Sequence, residues 1–97
     1  MKNRIPTLIE ASKTLKLEVV IEPDDDVYHA YCPVLRGCHS SGDTREEAFG
    51  NIQEAVKIHL EVMIEDGEEI PGIGTMDDID QLNLVFKLKE HDRVAIR

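Results

Sequence analysis

Four side chains able to hold a transition metal fall within eleven residues: His29, Cys32, Cys38 and His39. Thiolate and imidazole suit tetrahedral zinc, provided that all donors reach one point. The spacing opposes that convergence. Side chains on an extended chain alternate between faces, so residues three apart, such as His29 and Cys32, point opposite ways. The adjacent Cys38 and His39 have the same problem. Buried thiols and surface imidazoles are therefore expected, with no metal site and no cofactor.

The remaining reactive groups give no enzyme signature. The Asp24, Asp25, Asp26 triplet lacks the spaced ligands and glycine of a calcium-binding loop and reads as a solvated turn. Ser40 and Ser41 lack a G-x-S-x-G context, and there is no glycine-rich phosphate loop. A two-metal nuclease needs gathered carboxylates, for which Glu18, Glu22 and Glu54 are the candidates. Glu54, however, belongs to the polar side of a helix, facing away from the strands. His59 sits near the middle of the apolar arc of that helix and reads as a satisfied core histidine.

The elements that place these groups follow from periodicity. Leu15, Leu17, Val19 and Ile21 alternate with Lys16, Glu18, Val20 and Glu22, the period of a half-buried strand over 14–22. Pro23 and the aspartates make a turn, and a strand over 27–32 returns antiparallel, with Tyr28, Ala30 and Cys32 on one face. After a loop between Pro33 and Gly37, residues 38–41 form a short third strand. Thr44 and Glu47 have the spacing of a capping box, and a long helix starts there. Ala48, Phe49, Ile52, Ala55, Val56, His59, Leu60, Val62 and Met63 span an arc of about 160° that covers the sheet. Asp66-Gly67 stops the helix. A connector placed at 72–81 leads to a fourth strand, in which Leu82, Leu84, Phe86 and Leu88 alternate with polar or smaller neighbours. Val94 and Ile96 offer a short fifth strand. The expected fold is α+β: an antiparallel sheet of three to five strands on one helix, in the order βββαβ(β).

Ninety-seven residues make one domain, 1–97, with an N-terminal extension over 1–13. No apolar run approaches the roughly 18 residues of a membrane span, and Met1 to Glu10 lacks a signal-peptide core. With only two cysteines, a cytoplasmic chain with free thiols is expected. The net charge of −9 repels a phosphate backbone and attracts basic proteins. That charge is concentrated in three places: 22–26 at net −4, 43–69 at net −7 and 77–80 at net −3. A polarised surface results only if these places adjoin.

The run from Val27 to Ala48, Val-Tyr-His-Ala-Tyr-Cys-Pro-Val-Leu-Arg-Gly-Cys-His-Ser-Ser-Gly-Asp-Thr-Arg-Glu-Glu-Ala, resembles the core of the HicB antitoxin family. Its marks are an aromatic strand, Pro-x-Leu-x-Gly-Cys, Gly-x-Thr and Glu-Glu-Ala. The helix ending Glu65-Asp-Gly-Glu-Glu-Ile-Pro71 fits as well, so the resemblance covers roughly residues 17–71. It implies a partial ribonuclease-H-like fold and an antitoxin that neutralises a small basic HicA-like mRNA-cleaving toxin by direct contact. The alternative is an orphan HicB-like regulatory or scaffold domain with another partner. Family members that repress their own operon carry a C-terminal DNA-binding module. The 26 residues after Pro71 have a β-like pattern instead, so no direct nucleic-acid binding is expected.

Charge places a basic partner on the helix face with Glu46, Glu47, Glu54, Glu61 and Glu65 and on the turn Asp24, Asp25, Asp26. A homodimer or higher homo-oligomer is also expected, because the sheet leaves edges guarded mainly by Lys16, Glu18, Lys87 and Lys89. Ile58 and Ile64, outside the apolar arc, suggest a second contact surface.

Overall fold

A computed structural model describes residues 13–90. Strand β1 (Lys13–Asp24) and strand β2 (Val27–Tyr31) form a hairpin whose register runs from Val20↔Tyr31 to Asp24↔Val27. Only Asp25 and Asp26 remain in the turn, which is tighter than the sequence suggests. Pro23 is taken into the strand opposite Tyr28. Asp25 adopts φ 58, a left-handed value that Asp tolerates better than most residues. Strand β3 (His39–Gly42) adds antiparallel to β2, with Tyr28↔Gly42 and Tyr31↔His39 at the ends of the ladder.

Helix α1 (Arg45–Glu65) begins on two reciprocal hydrogen bonds. Glu47 N donates to Thr44 Oγ1 at 3.0 Å, and Asp43 N donates to Glu47 Oε1 at 2.6 Å. These bonds satisfy donors that the first turn leaves without helical partners. The helix ends in a Schellman pattern, in which Glu68 N donates to Met63 O and Gly67 N to Ile64 O, with Gly67 at φ 74. Ala48, Ile52, Val56 and Leu60 recur at every fourth position and are completely buried against Leu17, Val19 and Ile21 of β1. Phe49 meets Phe86 edge to face, with ring centroids 6.5 Å apart. Of the two isoleucines set apart from the arc, Ile64 packs against the core and only Ile58 stays exposed. Val62, at the margin of the arc, is half exposed.

The connector after α1 is anchored rather than slack. Ile70 is buried, and it exchanges two backbone hydrogen bonds with Gly74 at 2.8 and 2.9 Å. A single 3-10 turn (Ile79–Gln81) then delivers strand β4 (Leu82–Glu90) to the outer side of β1. The sheet order is β3-β2-β1-β4, and β4 runs parallel to β1, from Lys13↔Leu82 to Ile21↔Glu90. The sheet is therefore mixed rather than wholly antiparallel. A helix crossing one face returns the chain so that the next strand runs with the strand before it. Because β3 is itself parallel to β1, β4 is too. Val94, Ile96 and residues 1–12 of the extension lie outside the described residues, while Lys13, the last residue of the expected extension, opens β1.

Candidate protein-binding surface

The sheet sorts the potential ligands as alternation requires. Cys32 and Cys38 turn into the core, while His29 and His39 are exposed. The two cysteines close the loop between β2 and β3: Cys32 N donates to Cys38 O at 3.1 Å and Cys38 N to Leu35 O at 3.0 Å. Burial pushes both thiols above their ordinary value of 9.0, and for Cys32 backbone hydrogen bonds from Leu35 and Val34 partly offset the rise. Neither thiol is poised as a nucleophile. His29 Nε2 lies 3.0 Å from Asp24 Oδ2, both side chains being exposed, which ties the imidazole to its own hairpin. Among the described residues no three His, Cys, Asp or Glu side chains are grouped to hold a metal ion.

His59 is half buried at the margin of the core rather than enclosed in it, since the buried stripe is centred on Ile52 and Val56. The carboxylates Glu18 and Glu22 occupy the sheet face away from α1, where Tyr31 makes a long 3.5 Å hydrogen bond to Glu22. Burial first, and the Glu22 carboxylate second, raise the Tyr31 phenol above 10.0. Glu54 lies on the exposed side of α1, across the helix from the sheet. The three are not brought together.

The acidic residues divide into two groups. Asp24, Asp25 and Asp26 form the hairpin tip beside the helix N-terminus, because Tyr28 pairs with Gly42 and lies under Arg45, whose guanidinium carbon is 5.3 Å from the ring centroid. Glu46 and Glu47 are at that end, with Glu47 engaged by the Asp43 amide. Glu61 and Glu65 are nearer the other end of a helix about 30 Å long. There the 3-10 turn brings Asp77 and Asp78 alongside, and Glu61, Ile64, Glu65, Asp77, Asp78 and Ile79 line one shallow depression. Glu54 continues this second group along the exposed ridge, one turn before Ile58. Asp77 and Asp78 lie outside the helix face and turn to which sequence charge assigns a partner; only the net charge over 77–80 points to them, and charge alone does not say where a connector lies.

Comparisons with known proteins agree with this architecture. A family model described as the HicB-like antitoxin of bacterial toxin–antitoxin systems matches residues 17–87. A UPF0150 protein of Synechocystis is 48% identical over 54 residues, which is 55% of this chain and 68% of that one. A 14.9 kDa protein from the rep-hol intergenic region of Haemophilus phage HP1 is 45% identical over 53 residues. The match covers 55% of this chain but only 40% of the phage protein, so the chain spans less than half of that relative. The crystal structure of the N-terminal domain of the Burkholderia pseudomallei antitoxin HicB is similar at a TM-score of 0.52 and 32% identity. It covers 64% of this chain and 72% of that domain.

Proposed function

This chain belongs to the HicB-like antitoxin family of bacterial toxin–antitoxin systems, and on that footing we propose that it neutralises a small basic HicA-like toxin, an mRNA-cleaving ribonuclease, by direct protein–protein contact. The observation that carries the reading is the gathering of Glu61 and Glu65 with Asp77 and Asp78, continued by Glu54. A ribonuclease presents cations to hold the phosphates of its substrate. An acidic surface on a protein of net charge −9 is drawn to those cations and competes with RNA for them. The hairpin tip, Asp24 to Asp26 with Glu46, adds to the long-range field from the far end of α1.

The role is binding, not catalysis. Glu18, Glu22 and Glu54 are divided between two sides of the molecule, which does not suit two-metal hydrolysis. The partner is a protein and not nucleic acid, since the field repels phosphate. No described helix is long and apolar enough to cross a membrane. In solution the chain acts as a homodimer or higher homo-oligomer.

Co-expression with HicA-family toxins in a bacterial host tests the reading. Relief of growth arrest, co-purification of the two chains and inhibition of RNA cleavage by the purified complex are expected. If the chain neither binds nor inhibits such toxins, it is an orphan HicB-like regulatory or scaffold domain, and the antitoxin reading fails.

A further inference from the structure

Among the described residues five large apolar side chains are conspicuously exposed, and three of them, Val34 at 53%, Ile58 at 57% and Val62 at 50%, face one open groove of about 750 Å³. One wall is the 33–38 loop and the other is the second half of α1. Ile58 and Val62 are one turn apart on the helix, and Ala55 and Met63 continue the floor. Both walls are held in place without a partner. Three backbone hydrogen bonds between Cys32, Leu35 and Cys38 fix the loop, Leu35 is buried beneath it, and the Schellman turn fixes the helix end.

Charge decides what fits. Glu54 precedes Ile58 by four residues, Glu61 follows it by three, and Glu65 follows Val62 by three, so the helix side of the groove is bordered by carboxylates. Glu68 closes the end near Pro71, and among the described residues Arg36 is the one Lys or Arg lining the loop side. A second copy of this chain would bring a like acidic ridge against the first. An apolar centre with a charged rim is the usual anatomy of a protein interface.

We propose that this groove seats an apolar segment flanked by Lys or Arg, presented by the basic toxin, with large side chains meeting Val34, Ile58 and Val62. The proposal rests on the antitoxin reading and specifies where the contact is made. The acidic ridge then governs encounter, and the groove governs how long the complex lasts.

The test measures the affinity of the full chain for a catalytically inactive HicA-family toxin by biolayer interferometry. Variants are Ile58→Ser with Val62→Ser, Val34→Ser alone, and Thr75→Ala as a control at an exposed position outside the groove. The helix double variant should raise Kd at least tenfold, mainly through faster dissociation, and Val34→Ser several-fold, while Thr75→Ala changes it less than twofold. Val34 lies in a loop, so its variant reports on the groove even if the helix variant loses stability. Equal affinity for all variants overturns the groove and leaves the antitoxin reading intact. No binding by the unsubstituted chain overturns both.

Discussion

Gly42 lies so close to the start of the helix that a Cβ placed on it would be 2.5 Å from the backbone nitrogen of Ala48. The neighbour is main chain, held in the first turn by its own hydrogen bond to Thr44 O at 2.9 Å, and cannot rotate away. Gly42 therefore serves by its size rather than by an unusual backbone angle, which is the role of Gly37 at φ 82. Gly42→Ala should lower stability by about 1–3 kcal/mol, as overpacking does. Gly50 lies within α1 with open space around its Cα, so Gly50→Ala should raise stability by about 0.5–1 kcal/mol. Urea unfolding of the two variants checks both signs, and equal midpoints would refute the close approach.

The thiols make stability fall at alkaline pH. Cys32 and Cys38 have folded-state values raised above 9.0, so the folded chain holds their protons more tightly than the unfolded chain does. Their contribution is complete below about pH 9 and is lost as pH rises through the raised folded values. Tyr31, raised above 10.0, acts in the same direction at still higher pH. The thermal midpoint should be level near neutrality and fall above about pH 9. Cys32→Ala with Cys38→Ala should be less stable at neutral pH but show a shallower alkaline decline. An identical slope in the variant would remove the thiols as the cause.

Reversing charge on the helix ridge separates encounter from adhesion. Glu54→Lys with Glu61→Lys exchanges two anions for two cations along the ridge, of which Glu61 shares the depression with Asp77 and Asp78. Association with a basic toxin should slow, and the dependence of that rate on salt should flatten. Neither residue is in the buried core, so stability should change by less than about 0.5 kcal/mol per site. Stopped-flow mixing at low and high salt reads this directly. An unchanged association rate at low salt would place the docking surface elsewhere.

What the chain discloses before folding depends on how local the signal is. The Thr44–Glu47 box and the Gly67 stop lie within a few residues of what they cap, and both are legible, as is the alternation that buries Leu15, Leu17, Val19 and Ile21. The direction of β4 is not, because alternating residues look alike whether the neighbouring strand is parallel or antiparallel. The adjacency of Glu61 and Asp77 depends on where the anchored connector places the 3-10 turn, and nothing near either residue encodes it. Helical periodicity puts Val62 in the buried arc because a wheel carries no record of which flank is roofed. The sheet covers the side of Ile52 and Val56, while the 33–38 loop stands off from Val62 and leaves the groove open.

The outer edge of β4 is where two copies should meet. Its inner edge pairs with β1 along the whole strand, and no described strand lies on the other side. Antiparallel pairing of two copies about Phe86 would set Leu84 opposite Leu88 on the helix face. On the other face it would set Val85 opposite Lys87 and Asn83 opposite Lys89, so no like charges face one another. The exposed Val85 and Leu88 would then be covered. Sedimentation at micromolar concentration should give about twice the 11.0 kDa chain mass. Asn83 pairs with the neutral Thr14 inside one chain, so Asn83→Lys costs the monomer little. Across the dimer it would oppose Lys89 twice and shift the equilibrium toward monomer, whereas Asn83→Glu should tighten the dimer. A monomer for the unsubstituted chain would refute the dimer, and equal dimerisation of both variants would move it to another edge.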